Sequence, residues 1–169
     1  MIVARRILLC LAHMSGNEMK FIQEAFDTNW VVPLGPNVDG FEHDLEAFVG
    51  QNKQVVALSS GTAAVHLALI ACGVKAGDEV MVQSFTFCAS SHPVTYLGAT
   101  PVFVDSERDT WNMDPVLLDK AIADRIAKTG RKPKAIIPVY LYGMPGKIKE
   151  ILAVAAKYDI PVIEDAAEG

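Results

Sequence analysis

From residue 55 onward, short apolar segments rich in β-branched residues alternate with helical patterns. Each apolar segment has the length of a buried strand, and the residues between them have the apolar spacing of helices. This alternation predicts βαβ units, and therefore an α/β fold with a mostly parallel sheet and helices on both faces. The predicted strands are VVALS (55–59), EVMVQ (79–83), TPVFVD (100–105), KAIIPVY (134–140) and IPVIED (160–165).

Three helical patterns connect these strands. TAAVHLALIAC (62–72) is apolar almost all round, which is typical of a buried helix. DPVLLDKAIADRIAK (114–128) begins with Asp114 as the N-cap and Pro115 at the first helical position. KIKEILAVAAKYD (147–159) is amphipathic and leads to the last predicted strand.

The first fifty residues follow a different pattern. Residues 16–30 and 41–50 predict two helices, and the Pro- and Gly-punctuated segment VVPLGPNVDGFE (31–42) predicts a loop between them. We therefore predict an N-terminal arm with helices over residues 1–50, followed by part of a sheet domain over residues 51–169.

Composition excludes several functional classes. About half of the 169 residues are hydrophobic, so the chain can bury a core, and the net charge of −5 with interspersed acids and bases argues against a nucleic-acid partner. Cys10, Cys72 and Cys88 are not spaced as metal ligands and fit a reducing compartment. The apolar run at residues 7–12 is too short for a signal peptide, and no segment has the length of a membrane span. We therefore expect a cytoplasmic protein with no membrane partner.

Candidate ligand-binding residues follow the ends of predicted strands, where parallel sheets gather their ligands. Ser60-Gly61-Thr62 leads from a strand into a helix, so its free N–H groups can bind a phosphate, or Ser60 can serve as a plain N-cap. Phe85 and Phe87 can stack on a flat ligand or pack in the core. Asp165 needs a cationic partner if buried, and otherwise is a solvated acid or an N-cap.

The segments around these strand ends resemble one enzyme family. SSGTAAVHLALIACGVKAGDEVMVQSFTFCASSHPVTYLGATPVFVD (59–105), IPVYLYGMPGKIKEI (137–151) and PVIEDAAE (161–168) are similar to the sugar-nucleotide aminotransferases of the DegT/DnrJ/EryC1/StrS group. The resemblance runs from residue 15 to the last residue. It implies the N-terminal portion of the large domain of a fold-type I, pyridoxal phosphate (PLP)-dependent aminotransferase.

The resemblance also implies roles for single residues. Thr62 and Ala63 match the positions that hold the PLP phosphate, and Phe87 matches the aromatic residue that stacks on the pyridine ring. Asp165 matches the acid that pairs with the pyridine nitrogen of PLP. Glu168 matches the residue that lies near the phenolic oxygen of PLP. The implied cofactor-binding residues are Gly61, Thr62, Ala63, Phe87, Asp165 and Glu168.

The lysine that forms the Schiff base in this family is expected beyond Gly169, since Lys147, Lys149 and Lys157 do not match it. The resemblance therefore implies an N-terminal fragment without a catalytic residue, inactive alone. A histidine in place of that lysine would imply a sugar 3-dehydratase. A non-catalytic remnant that serves as an interaction module is a further alternative. A third alternative, a Rossmann-like nucleotide-binding domain, is weakened by the absence of a GxGxxG motif.

The resemblance is strongest to C4-aminotransferases that act on UDP-linked 4-keto-6-deoxy-N-acetyl sugars in bacillosamine-type pathways. For the complete protein it implies transamination of a nucleotide sugar for cell-surface glycan biosynthesis. Glutamate is the implied amino donor and a homodimer the implied assembly.

Overall fold

The computed structural model describes residues 12–50 and 52–169. The chain divides into two units, one ending at Ala57 and the other running from Leu58 to Gly169. Cys10 and the predicted cytosolic N-terminal segment lie outside the described residues. The predicted division at residue 50 stays a prediction.

The described residues of the first unit form two helices, α1 (Glu18–Asp27) and α2 (Pro36–Val49). The predicted loop over residues 31–42 is therefore wrong from Pro36 onward. Proline fits the first turn of a helix because its missing N–H has no intrahelical partner there. The Gly35 carbonyl then accepts hydrogen bonds from the amides of Val38 and Asp39, both at 3.0 Å, which starts α2 earlier than its apolar pattern indicates.

The strand predicted at residues 55–59 is not formed in the described part of the chain. Its amides have side-chain partners instead of a neighbouring strand. Val55 donates to Glu46 Oε1 at 3.1 Å, and Ala57 donates to Glu42 Oε1 at 2.7 Å. A strand requires a second strand to satisfy its backbone groups, so the β-branched residues alone do not produce one here.

The second unit contains a parallel sheet of three strands within the described residues. β1 (Glu79–Gln83) lies between β2 (Thr100–Val104) and β3 (Ala135–Ile137). The register places Met81 opposite Val102 and Ile136. These pairs confirm the predicted parallel α/β arrangement.

The last predicted strand, at residues 160–165, pairs with the segment 135–139 only through isolated bridges. Val162 lies opposite Ile136, and Asp165 lies opposite Val139, both in parallel orientation. Pro138 has no N–H group and interrupts the ladder between these bridges. This proline also explains why β3 is shorter than the predicted strand at 134–140.

Helices cover both faces of the sheet, as predicted. Because side chains alternate along a strand, Val80 and Val82 face one core and Met81 faces the other. The first core joins the sheet to α3 (Gly61–Ala71) and α4 (His92–Tyr96), and the second joins it to α5 (Pro115–Thr129) and α6 (Ile148–Tyr158). No helix in residues 12–50 or 52–169 combines the length and the apolar character that a membrane crossing requires.

The predicted N-cap of α5 is confirmed. Asp114 Oδ1 accepts hydrogen bonds from the amides of Val116 at 2.7 Å and Leu117 at 3.1 Å. These bonds satisfy donors that the first turn of a helix leaves free.

A buried carboxylate organises the loop after β2. Glu107 accepts hydrogen bonds from the amides of Asp109 and Thr110 and from the Thr110 hydroxyl, and it pairs with Lys147 at 2.9 Å. The Thr110 hydroxyl and then the Lys147 ammonium lower the pKa of Glu107 to about 2. The loop therefore depends on a charged glutamate.

Replacing Glu107 with Gln should lower the free energy of unfolding near neutral pH by about 1–3 kcal/mol. The folded-state pKa lies below the unfolded one, so the carboxylate stabilises the fold above the unfolded pKa. That stabilisation is lost as the pH falls towards about 2. Urea unfolding should show the difference from wild type shrinking below about pH 4.3. Glu150→Gln, at an exposed position in the first turn of α6, removes only an interaction with the helix dipole and should cost about 0.5 kcal/mol; a loss equal to that of Glu107→Gln would contradict the assignment.

Candidate functional site

A cleft of about 530 Å³ lies in the unit Leu58–Gly169. Its walls are the start of α3, the segment after β1, the segment after β3 and residues 165–168. Five of the six predicted cofactor-binding residues line it; Ala63 does not. The lining members of the predicted set are Gly61, Thr62, Phe87, Asp165 and Glu168.

The start of α3 presents free amides to this cleft. Ser60 is the N-cap, and its hydroxyl accepts the Ala63 N–H at 3.2 Å, while its carbonyl accepts the Ala64 N–H at 3.0 Å. The amides of Gly61 and Thr62 have no partner within the helix, since the first N–H groups of a helix have none. Together with the helix dipole they favour an anion. The Ala63 N–H already has the Ser60 hydroxyl as its partner. The predicted role of Ala63 in binding the phosphate stays a prediction.

Phe87 exposes an aromatic ring in the cleft. It follows β1 in an extended conformation and precedes a 3-10 turn at Cys88–Ser90. Its side chain is 75% exposed, so the core-packing alternative is wrong for this residue. The free face of the ring is available to a flat ligand.

Asp165 is half-buried in the cleft and fixed through both its backbone and its side chain. Its N–H donates to the Pro138 carbonyl at 3.0 Å, and its carbonyl accepts from Tyr140 N at 3.1 Å. Its Oδ2 accepts the Ser90 hydroxyl at 2.6 Å, and its Oδ1 accepts the Ala167 N–H at 3.3 Å. Each carboxylate oxygen keeps one further lone pair for a ligand.

Sequence reasoning missed the residues that hold this carboxylate. Ser90 is completely buried, and its hydroxyl lies 2.8 Å from the Thr86 hydroxyl as well as contacting Asp165. Ser90 is 75 residues away from Asp165, so only the folded chain brings the two together. The available signal was two hydroxyl residues four apart in the segment that follows β1.

Glu168 lines the cleft and contacts the turn after β3. Its Oε2 accepts the Tyr142 N–H at 2.6 Å. Gly143 has a φ of +74°, and a Cβ on it would lie 2.8 Å from the Glu168 carbonyl oxygen. The close approach of these two segments therefore requires glycine at position 143.

Tyr140 is a further cleft residue that the sequence did not single out. Its hydroxyl donates a hydrogen bond to Glu164. Burial, then the hydrogen bond to Glu164 and last the negative charge of Glu164 raise the pKa of Tyr140 to about 12. The hydroxyl therefore stays protonated at neutral pH and keeps its role as a donor.

No lysine lines the cleft within the ranges that the structure describes. Lys147 pairs with Glu107 and Asp109, and Lys157 pairs with Asp119. These ion pairs give both lysines a structural partner away from the cleft. The same ranges contain no group of three or more His, Cys, Asp or Glu side chains arranged to hold a metal ion.

Three known proteins are similar to this chain over most of its length. EpsN of Bacillus subtilis (strain 168), provisionally assigned as a pyridoxal phosphate-dependent aminotransferase, is 51% identical over 97% of this chain and 42% of EpsN. GDP-perosamine synthase of Caulobacter vibrioides is 42% identical over 96% of this chain and 42% of its own length. The crystal structure of S. venezuelae DesV in complex with a ketimine intermediate matches 88% of this chain and 39% of DesV, with 34% identity and a TM-score of 0.75.

This chain thus spans about two fifths of the length of the curated relatives that it matches. The profile of the DegT/DnrJ/EryC1/StrS aminotransferases matches residues 13–169, which is nearly all of it. The chain belongs to the DegT/DnrJ/EryC1/StrS aminotransferase family.

Proposed function

We propose that the complete protein is a PLP-dependent aminotransferase of nucleotide sugars and that this chain supplies part of its cofactor site. The observation that carries the proposal is the Asp165 carboxylate, held by the buried Ser90 in the same cleft as an exposed aromatic ring and an open helix N-terminus. When bound, PLP supplies an electron sink for reactions at the substrate carbon that carries nitrogen.

The residues of the cleft fit the three parts of this cofactor. The free amides of Gly61 and Thr62 suit a phosphate, and the Thr62 hydroxyl adds a donor. The exposed ring of Phe87 suits a pyridine ring. The Asp165 carboxylate suits a protonated ring nitrogen, because a nearby negative charge favours the charged form of a base.

Asp165 would hold a proton on that ring nitrogen throughout the reaction. Its position depends on Ser90, whose hydroxyl donates a hydrogen bond to one carboxylate oxygen. Glu168 and Tyr140 line the same cleft, and their hydrogen bonds to Tyr142 and Glu164 orient them there. These groups bind and orient; the catalytic lysine of the family is proposed to lie beyond Gly169.

The substrates and the assembly belong to the same proposal. Relatives include a synthase named for the GDP-linked sugar perosamine. We infer that the amino acceptor is a nucleotide-linked 4-keto-6-deoxy sugar for cell-surface glycan synthesis and that glutamate is the amino donor. A cytoplasmic homodimer is the proposed form of the complete protein.

Binding of PLP to this chain tests the phosphate assignment without any need for activity. We expect PLP to bind and to change its absorbance, and pyridoxal, which lacks the phosphate, to bind more weakly. Thr62→Val should weaken PLP binding about tenfold, because it removes one hydrogen bond to a charged group, and should leave pyridoxal binding unchanged. Thr95→Val, at an exposed position on α4, is the matched control and should bind both as wild type does. Equal affinity of wild type for PLP and pyridoxal would contradict the proposal.

A further inference from the structure

Three exposed aromatic side chains form a cluster at the edge of the cleft. Phe85 follows β1, Trp111 follows β2 and Tyr142 follows β3, so all three lie in segments that leave the carboxyl ends of strands. The ring of Phe85 lies 6.1 Å from that of Trp111 and 6.5 Å from that of Tyr142, measured between centroids. We call these three residues the aromatic platform.

All three side chains of the platform expose a large part of their surface. The side chains of Phe85, Trp111 and Tyr142 are 41%, 61% and 64% exposed. Phe85 and Tyr142 line the cofactor cleft, whereas Trp111 is not among its lining residues. The platform therefore begins in the wall of the cleft and continues outside it.

Two members of the platform have unfavourable backbone conformations. Trp111 has a φ of +64° and Tyr142 a φ of +55°, in the left-handed region that bulky side chains rarely adopt. Such strain persists only where the surrounding structure imposes it, and it concentrates at functional sites. Here it occurs at both aromatic neighbours of Phe85.

A buried amide network beneath the platform imposes these positions. The side chains of Gln83 and Asn112 are almost completely buried and are joined by a 3.1 Å hydrogen bond. Gln83 Nε2 also donates to the Phe85 carbonyl at 2.9 Å, and Asn112 Oδ1 accepts the Leu141 N–H at 3.1 Å. Because Asn112 follows Trp111 and Leu141 precedes Tyr142, one network holds the backbone at or beside all three aromatic residues.

We propose that the aromatic platform stacks on the nucleobase of the nucleotide-sugar substrate, an inference that rests on the proposed function. Phe87 and Asp165 already suit the flat ring of the cofactor, so the platform needs a different flat partner. In a nucleotide sugar the diphosphate separates the base from the reacting sugar, so the base must lie away from the cofactor, as Trp111 does. Base stacking on aromatic rings is strong and tolerates different bases, which suits a family with GDP-linked and other substrates.

The two tryptophans of the chain, Trp30 and Trp111, allow a direct test. In a Trp30→Phe background, Trp111 is the only tryptophan, and its fluorescence reports stacking. Saturable quenching by UDP and by GDP is expected. Inorganic diphosphate and ribose 5-phosphate, which lack a base, should give none. Quenching by inorganic diphosphate equal to that by UDP would overturn the inference, because phosphate contacts would then account for binding.

Tyr142→Asn separates a binding role from a structural one. Asn tolerates the left-handed backbone, so the variant should unfold at the same or a higher urea concentration than its Trp30→Phe parent. Its affinity for UDP and GDP should nevertheless fall about tenfold. Tyr96→Asn, which removes an exposed tyrosine from α4 outside the platform, should leave the affinity unchanged. Unchanged nucleotide affinity of Tyr142→Asn would overturn the inference.

Two further measurements separate this inference from the proposed function. If PLP binds with the expected preference over pyridoxal but neither nucleotide quenches Trp111, the platform inference fails and the proposed function stands. If PLP does not bind, the proposed function fails whatever the nucleotides do.

Sedimentation tests the other occupant of the platform, a second copy of this chain. Self-association that Tyr142→Asn abolishes and saturating UDP does not displace would make the platform a subunit interface and overturn the inference.

Discussion

Replacing Asp165 with Asn in the complete protein should lower the rate of amine transfer by about a hundred- to a thousandfold. Asn has nearly the same shape and can still accept the Ser90 hydroxyl, which lies 2.6 Å from Oδ2 in the wild type. The substitution removes only the negative charge, so a proton on the ring nitrogen of the proposed cofactor would lose its partner. Stopped-flow absorbance of the half-reaction with the amino donor measures this rate.

Glu164→Gln is the matched control for this prediction. Glu164 is the neighbouring carboxylate, but it contacts the Tyr140 hydroxyl and does not line the cleft. Its replacement should change the rate by less than about tenfold. Full activity of Asp165→Asn with PLP bound, or an equal loss in both variants, would contradict the assignment of Asp165.

Replacing Gln83 with Leu should lower the free energy of unfolding of the unit Leu58–Gly169 by about 2–5 kcal/mol. Gln83 is completely buried, and its Oε1 accepts the amides of Met113 at 2.8 Å and Val139 at 3.2 Å. Leucine fills a similar volume but leaves both buried amides without an acceptor, and each such group costs about 1–3 kcal/mol. Urea unfolding followed by Trp111 fluorescence in the Trp30→Phe background measures the change.

Gln23→Leu, on the exposed surface of α1, is the matched control and should change the unfolding free energy by no more than about 0.5 kcal/mol. A loss below about 1 kcal/mol for Gln83→Leu would show that the amide network is dispensable. That result would also remove the structural support of the aromatic platform, since the same network holds the segments that carry it.

Local patterns predicted the elements whose stability is local. Asp114 and Pro115 mark the start of α5, because an N-cap and a first-turn proline act within a few residues of themselves. The predicted strand at 79–83 coincides with β1, because its middle residues Val80, Met81 and Val82 form the continuous apolar run of a strand that is buried on both faces. The N-cap and the first-turn proline require no knowledge of distant residues, and the apolar run indicates a buried strand before its neighbouring strands are known.

Predictions failed where the partner of a segment decides its structure. Residues 55–59 have strand composition, yet Glu42 and Glu46 accept the amides of Ala57 and Val55. The proline and glycine residues of the segment 31–42 predict a loop, yet α2 begins within it, at Pro36, and the Gly35 carbonyl accepts the first hydrogen bonds of this helix. Propensity is a weak guide in such places because the backbone bonds that form depend on which acceptors the fold brings near.

The sequence by itself determined the alternation of strands and helices and the family, and through the family it predicts cofactor-binding roles for Thr62, Phe87 and Asp165. Only the tertiary structure decided that Ser90 holds Asp165 and that a buried Gln83–Asn112 network supports three exposed aromatic rings. The reason is physical. Helix caps and apolar periodicity act over a few residues, whereas these contacts join the ends of different strands, 29 residues apart for the amide pair and 75 for the serine and the aspartate.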